Sequence, residues 1–272
     1  MPHLEWTSAG DAEFQEKAGL RFGDKGTHTS RTMMLAELTE LLAAVPPTAS
    51  RDDYATAIVD DNVLGKQTAS NRRLTNQRLG ELYGLDRTIP IFRVLRRLWD
   101  IDESGRPQLA LLCALARDPL LRSTAGVILA LNVGEELQRS SLAEALTRAT
   151  QGRLNESITD KVARNAGSSW TQSGHLQGRV RKVRQSIRAT AGATAFAMWL
   201  GAVQGLAGDQ LLTSPWARML DATPTDLLDH TLRAKQLGLL QARKGGGVVE
   251  IDAWGVDPAG ENLREQITHG TD

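Results

Sequence analysis

The sequence predicts a mainly α-helical protein, a helical bundle core with helix-turn-helix and winged-helix elements, in which β structure is limited to short hairpins. Leu and Ala supply most apolar positions, and aromatic residues make up only 4% of the chain. Leu and Ala favour helices, whereas strands favour aromatic and β-branched residues. Apolar residues also recur at helical spacing between Pro and Gly boundaries.

We expect four segments along the chain. Residues 1–28 form an N-terminal arm, residues 29–150 a helical domain with a helix-turn-helix, residues 151–255 a winged-helix-like domain, and residues 256–272 a tail. With 272 residues, of which 41% are hydrophobic, the chain is long enough to bury a core in each domain.

The helical domain begins with an amphipathic helix over 29–45, ended by Pro46 and Pro47. The stretch SRDDYATAIVDDNVLGKQTASNRRLTNQRLGELYGL (50–85) then predicts two helices joined by a short turn. Ser50 caps the first helix, and Thr68 or Ser70 caps the second. Because the second helix is rich in Arg, Asn and Gln, this pair has the composition of a helix-turn-helix.

Residues 90–131 are the most apolar part of the chain and predict three core helices. Pro90, Pro107 and Pro119 each stand where a helix can begin, since proline is tolerated in the first helical turn. The stretch RSSLAEALTRA (139–149) adds an amphipathic helix.

The segment 155–188 predicts a helix, NESITDKVARNAGSSWTQ, followed by turn residues SGHLQG and the basic stretch RVRKVRQSI. The basic stretch suits either a helix or a hairpin strand. A helix followed by a basic hairpin is the layout of a winged helix, whose helix enters the major groove and whose wing contacts the backbone.

A second, less basic unit of the same layout is predicted near the C-terminus. Thr223 or Thr225 caps a helix there, and LLQAR and VVEID form hairpin strands around the glycine triplet at 245–247. Because its surroundings are acidic, we assign this unit to packing or protein contact.

The charge of the chain is strongly segregated although the net charge is zero. Residues 62–99 and residues 151–190 each carry 8 basic and 2 acidic groups, whereas residues 1–61 carry 5 basic and 11 acidic groups. Because local potential steers a polyanion, two basic blocks predict duplex DNA as the partner. The competing interpretation is a solvated face that pairs with the protein's own acids.

Basic and polar residues of these two blocks are the candidate contacts to nucleic acid, through phosphates, base edges and close backbone approach. They are Lys66, Thr68, Arg72, Arg73, Gln77, Arg164, Ser168, Ser169, Thr171, Gln172, Ser173, His175, Arg179, Arg181, Lys182 and Arg184. Gln172 is expected to reach an adenine edge, and His175 either to donate to a phosphate or to bond locally. Trp170 either anchors the core or stacks on a base.

No sequence feature indicates an enzyme, a cofactor or a metal site. The stretch LGKQT fails as a phosphate-binding loop, because Asp60 replaces its first Gly and Gln67 its Ser or Thr. The five His residues lack metal-ligand spacing, and the single Cys113 lies among apolar residues. We therefore expect no catalysis.

We also expect a cytoplasmic protein with no membrane association. The N-terminus lacks the basic and apolar regions of a signal peptide. Twenty uncharged residues separate Arg188 from Asp209, but several Gly and Thr residues among them favour a buried helix over a membrane span.

The stretch 50–85 resembles the helical region of the BrxA-like subunits of bacteriophage-exclusion (BREX) defence systems. In that family, I-x-x-x-N-x-L-x-x-x-T likewise precedes an Arg-containing helix; here the pattern ends in Asn62, Leu64 and Thr68, followed by Arg72 and Arg73. The resemblance implies a small, non-catalytic DNA-binding component of a phage-defence operon, with other defence proteins as further partners. The segment SSWTQSGHLQGRVRKVR departs from the family.

The predicted function is therefore non-catalytic binding of duplex DNA. A scaffold or adaptor that docks acidic faces of partner proteins, a transcription regulator and a helical RNA-binding protein remain alternatives.

Overall fold

The computed structural model describes Trp6, residues 11–246 and residues 248–260. Over these residues the protein is mainly helical with two short antiparallel strand pairs, as the composition predicts. The start of the predicted arm, most of the predicted tail, and His3 and His269 lie outside the described residues.

The first part of the chain forms four helices and a 3₁₀ turn. These are α1 (Ala12–Ala18), the turn Thr27–Thr29, α2 (Leu35–Ala44), α3 (Arg51–Val59) and α4 (Ala69–Tyr83). Ser50 caps α3 in a capping box with Asp53, and Thr68 caps α4 by accepting the Asn71 N–H at 3.1 Å. Residues 60–68 connect α3 to α4, a longer connection than the three- or four-residue turn of a helix-turn-helix.

The centre of the molecule consists of α5 (Pro90–Ile101), α6 (Arg106–Arg117), α7 (Pro119–Ser123) and α8 (Ala125–Ala130). A proline occupies the first turn of α5, α6 and α7, so the predicted helix starts are confirmed. Every residue of α6 from Gln108 onward is buried. This helix packs against α4, α5 and the later α11 (Ala191–Val203).

The next elements are α9 (Arg139–Ala149), α10 (Glu156–Gln172), β1 (Leu176–Gln177) and β2 (Val183–Arg184). The basic stretch after α10 is therefore a hairpin and not a helix. Residues 134–137 pair with the other edge of β2, because Leu137 N–H donates to the Lys182 carbonyl and Arg184 N–H to the Glu135 carbonyl, each at 2.8 Å. Segment 134–137 therefore flanks β2 on the edge opposite β1.

The C-terminal part contains α11, α12 (Gln210–Thr213), α13 (Pro215–Arg218), α14 (Pro224–Gln236), β3 (Gln241–Gly245) and β4 (Val248–Asp252). Thr223 caps α14 as predicted, and the predicted hairpin is present. Helix α11 supplies the uncharged stretch, and its residues from Gly192 to Val203 are buried. No helix of the described chain has both the length and the apolar character needed to cross a membrane.

The hydrophobic core is one continuous cluster that includes Phe14, Leu112, Trp170 and Val256. It draws on segments before and after residue 150. The four indoles of Trp99, Trp170, Trp199 and Trp216 are among its largest fully buried side chains. Trp170 is therefore a core anchor.

Candidate nucleic-acid interface

Helix α10 presents one polar, cationic stripe to solvent. Asn155 caps the helix by accepting the Ile158 N–H at 2.9 Å, which fixes where it begins. Lys161 and Arg164 are exposed and Ser168 is half-buried on the stripe. The spacing of three and four residues places these side chains on one helix face. Arg164 has one ion pair, at 3.4 Å to Asp160, and both partners are substantially exposed.

The hairpin tip lies beyond the end of α10 and carries Arg179, Val180 and Arg181. Val180 is 88% exposed, and the Arg179 side chain has no partner within the described chain. Arg181 donates from Nε and Nη2 to Glu136 Oε2 at 2.9 and 2.7 Å. Because the Arg181 side chain is 80% exposed, solvent screens this pair.

Gly178 makes the tight turn of the hairpin possible. Its φ is +109°, and a Cβ there would lie 2.0 Å from the Arg181 carbonyl oxygen. Since no L side chain fits that space, the turn that exposes the tip depends on glycine.

Ser169, Ser173, His175 and Arg184, which were predicted to contact DNA, are buried, so their side chains are not accessible to DNA in this structure. Each of these polar groups is paired inside the protein, as burial of a polar group requires. The burial of these four residues could not be predicted, because the periodicity of the sequence does not show which side chains of the basic segment face the core.

Ser169 belongs to a buried network with His28 and Asp118. His28 Nε2 lies 2.8 Å from Ser169 Oγ, and His28 Nδ1 lies 2.8 Å from Asp118 Oδ2. The order Ser, His, Asp is that of a hydrolase triad, but all three residues are at most 1% exposed. Ser169 Oγ also accepts the Met33 N–H at 2.8 Å. A substrate cannot reach this serine in the folded state, and the network serves as an internal clamp.

Asp118 has further donors that hold it ionised. Burial by itself would raise the pKa of this carboxyl, but the His28 ring and backbone N–H groups outweigh burial and lower the pKa. The backbone amides of Leu120 and Leu121 donate to its Oδ1 at 3.0 and 3.1 Å. Asp118 therefore caps α7 and holds the 3₁₀ turn at the same time.

His175 lies in the core beside Trp170, the ring centroids 5.1 Å apart in an edge-to-face arrangement. Its Nδ1 is 2.9 Å from Ser173 Oγ and its Nε2 is 2.9 Å from the Met219 carbonyl oxygen. Burial lowers the pKa of His175 to about 4. The ring is therefore neutral at pH 7 and is hydrogen-bonded within the protein. Of the two alternatives for this histidine, a phosphate contact or a local bond, the structure has the local bond.

Arg184 is locked to a carboxylate of the protein itself. Its Nη2 pairs with Asp221, and its Nε donates to the Ile128 carbonyl at 3.2 Å. The two side chains of the pair are 5% and 11% exposed. This arginine ties β2 to α8 and to the loop before α14.

Thr171, Gln172 and Lys182 are half-buried and also engaged internally. Gln172 accepts the Leu35 N–H at 3.0 Å and donates to Thr32 Oγ1 at 2.9 Å. Both ends of this amide, which was predicted to reach an adenine edge, therefore have partners within the protein. Lys182 Nζ donates to Thr171 Oγ1 at 2.8 Å, and partial burial lowers the pKa of this lysine.

The candidate residues around α4 divide between structural and exposed roles. Thr68 is the helix cap, Lys66 pairs with Glu37 at 3.1 Å, and Gln77 donates to Glu81 at 2.9 Å. Arg73 is exposed, whereas Arg72 is half-buried. Of the three cations, Lys66 has an ion pair, and Arg72 and Arg73 have none within the described chain.

The residues that carry the family resemblance build the connection between α3 and α4. Asn62 adopts a left-handed conformation with φ +52° and accepts the Lys66 N–H through Oδ1 at 2.8 Å. Leu64 is buried, and Thr68 caps α4. The geometry of the connection between α3 and α4 therefore accounts for these three residues of the motif.

Residues 27–35 join the two basic regions. Asn165 of α10 donates to the His28 carbonyl at 2.7 Å, and Arg31 donates to Asn71 of α4 at 3.0 Å. Thr27 also donates to Glu81 of α4 at 2.8 Å. The strap 27–35 thus lies between α4 and α10 and brings the two basic blocks of the sequence to one region.

Two features of the candidate interface were not predicted from the sequence, namely Lys161 and the pairing of residues 134–137 with β2. Lys161 lies on the exposed stripe of α10, and the helical spacing of 161, 164 and 168 was the available signal. The pairing of 134–137 with β2 has no local signal, because the partners are more than forty residues apart.

No protein-family model matches the chain, and no curated protein matches its sequence. Among the described residues, no group of three or more His, Cys, Asp and Glu side chains is placed to hold a metal ion.

Proposed function

We propose that the protein binds duplex DNA without catalysing a reaction, and that residues 119–184 act as a winged helix. The arrangement that carries the proposal is the succession α7–α8, segment 134–137, α9, α10, β1 and β2, with β2 between segment 134–137 and β1. In this unit α10 is the recognition helix and the tip 178–182 is the wing.

The accessible cations support this assignment. Lys161 and Arg164 lie on the exposed stripe of α10, and Arg179 and Arg181 lie on the wing tip. Cations on both elements would neutralise phosphates on either side of a groove. Ser168 on the same stripe has the short polar side chain that permits close approach to the backbone.

Helix α4 is a second candidate contact in this proposal. Arg72 and Arg73 follow its N-terminus, and the strap 27–35 connects the helix to α10. The resemblance of the 50–85 region to BrxA-like subunits supports a role in phage defence, with other defence proteins as partners.

The test is the salt dependence of binding to a random-sequence duplex, measured by fluorescence anisotropy. A Lys161→Ala/Arg164→Ala/Arg179→Ala variant is expected to bind more weakly and to flatten the slope of log K against log salt by up to about 3, since each phosphate contact contributes about 0.9. The matched control removes three exposed cations of the C-terminal part of the chain: Arg218→Ala/Arg243→Ala/Lys244→Ala. If both variants show the wild-type slope, α10 and the wing are not phosphate contacts. Competition with duplex RNA separates DNA from RNA binding.

An adaptor is the second candidate function, and the C-terminal unit favours it. Leu237 at the end of α14 is 55% exposed and Val248 of the β3–β4 hairpin is 61% exposed. Exposed apolar side chains on a unit with mixed charge suit contact with a protein partner. A chain that binds no duplex but retains a partner through this unit would establish the adaptor instead.

A further inference from the structure

A cleft of about 830 Å³ opens between the segment 16–29 and the C-terminal end of α4. Three carboxylates line it, together with twice as many cations. The cations are Lys17, Arg21, Lys25, Arg78, Arg117 and Arg153. The cleft is distinct from the proposed DNA-binding stripe, since neither that stripe nor the wing tip contributes to its lining.

Half of these cations have internal partners. Arg78 pairs with Glu81 at 2.7 Å, Arg153 pairs with Asp24, and Lys17 pairs with Glu13 at 2.9 Å. Arg21, Lys25 and Arg117 have no carboxylate partner within the described chain. The cleft therefore contains an excess of unpaired positive charge.

Arg117 is the most unusual of these residues because its charge is buried. The residue is 5% exposed, and its guanidinium donates to the carbonyls of Gly19, Glu81 and Gly80 at 2.6, 3.0 and 3.4 Å. Burial, together with the smaller effect of the Arg21 charge, lowers the pKa of Arg117 to about 10. Arg117 is thus protonated at neutral pH with a second cation beside it. Buried charges in proteins are normally paired, and an anion in the cleft would supply the missing partner.

We propose that this cleft binds a nucleoside polyphosphate, with Arg21, Lys25 and Arg117 facing the phosphate chain. A guanidinium has five N–H donors in a fork that matches phosphate oxygens, and the three carbonyls leave donors of Arg117 to spare. The volume lies in the range of small-molecule sites.

The aromatic ring of Phe22 favours a nucleotide over a simple phosphate. Phe22 lines the cleft and is half-buried. The Arg122 guanidinium lies 5.5 Å from its ring centroid, which holds the ring in place. A ring that is fixed and partly exposed offers apolar surface to a planar base.

The experiment is calorimetric titration of the full chain with ATP, pyrophosphate and sulfate at matched ionic strength. We expect saturable binding of ATP and pyrophosphate, with ATP the tighter of the two and sulfate at least tenfold weaker than pyrophosphate. The variant Arg21→Gln/Lys25→Gln changes only exposed side chains and leaves the three hydrogen bonds of Arg117 intact. We expect it to weaken both phosphate ligands at least tenfold.

The matched control, Arg243→Gln/Lys244→Gln, removes the same charge from the C-terminal hairpin and is expected to bind as the wild type does. Absence of saturable binding by ATP and pyrophosphate, or equal weakening in the two variants, would overturn the site. Equal affinity for ATP and pyrophosphate would overturn the assignment of a nucleotide. Duplex binding by the Arg21→Gln/Lys25→Gln variant is expected to be unchanged, so failure of this inference and failure of the proposed function are distinguishable.

Discussion

Arg181 and Arg184 lie three residues apart in the hairpin, but Arg181 is exposed and Arg184 is buried. Arg184 is 5% exposed in its side chain and pairs with Asp221, which is 11% exposed. Truncation of Arg184 to Ala leaves a buried carboxylate without its partner. Breaking a buried pair in this way costs about 3–5 kcal/mol. The Ile128 carbonyl also loses its donor, so the upper part of this range is expected.

Arg181→Ala is the control. Its pair with Glu136 is 80% exposed on the arginine side, and removal of such a pair is expected to leave the free energy of unfolding unchanged within error. The assay is urea unfolding at pH 7 followed by tryptophan fluorescence, which reports on the buried indoles. Duplex binding, in contrast, is expected to weaken in the Arg181→Ala variant, because Arg181 is accessible to phosphates.

Equal stability of the Arg184→Ala variant and the wild type would refute this reasoning. An Asp221→Ala variant as stable as the wild type would do the same, since Arg184 would then be the lone buried charge. The double variant Arg184→Met/Asp221→Leu is expected to recover part of the loss, because it buries no unpaired charge.

Three further predictions concern the clamp, the buried histidine and the wing turn. Ser169→Ala leaves the Met33 N–H and His28 Nε2 without a partner and is expected to destabilise the fold by about 2–4 kcal/mol in urea unfolding. A loss below about 1 kcal/mol would contradict the clamp. The pKa of His175 is about 4 in the folded state and 6.5 in the reference state, so below pH 6.5 the unfolded chain binds the proton more readily and stability falls as the pH drops toward 4. This histidine alone is expected to lower the free energy of unfolding by about 2–3 kcal/mol between pH 7 and 4.5. The stability of a His175→Gln variant should depend correspondingly less on pH over this range. Equal pH dependence of the variant and the wild type would show that His175 is not buried as a neutral ring. Gly178→Ala places a Cβ against the Arg181 carbonyl, so the wing turn is expected to open and duplex binding to weaken without loss of helical circular dichroism, whereas wild-type affinity would exclude the turn from the interface.

Most helices could be predicted from the sequence because their boundaries carry local chemical signals. Ser50, Thr68 and Thr223 are helix caps as predicted, and Pro90 begins α5. The short hairpin at 176–184 was one of two alternatives. Val180, Val183 and Ile187 have helical spacing, whereas a position directly after a Gly turn suits a hairpin strand. Only the pairing with residues distant in sequence decides between the two.

The residues of the candidate site could be predicted less well than the helices, because the sequence does not show in which direction each side chain points. A cationic segment identifies a region, but the sequence does not show which of its members are paired internally. Arg184 lies in β2 and is buried, whereas Arg181 lies at the exposed hairpin tip, and Ser169 and Ser168 differ in burial by one position on a helix. The partners that decide these roles, such as Asp221 and His28, are supplied by other parts of the chain.

The Ser169–His28–Asp118 network also constrains the order in which the chain can complete its fold. Ribosomal synthesis delivers the N-terminal half first, yet Ser169 lies 141 residues beyond His28. Until α10 emerges, the imidazole and the Met33 amide have no hydroxyl to satisfy them. The early half of the protein is expected to remain unfinished until the later half docks, so that a nascent chain released before residue 169 would be a target for proteolysis.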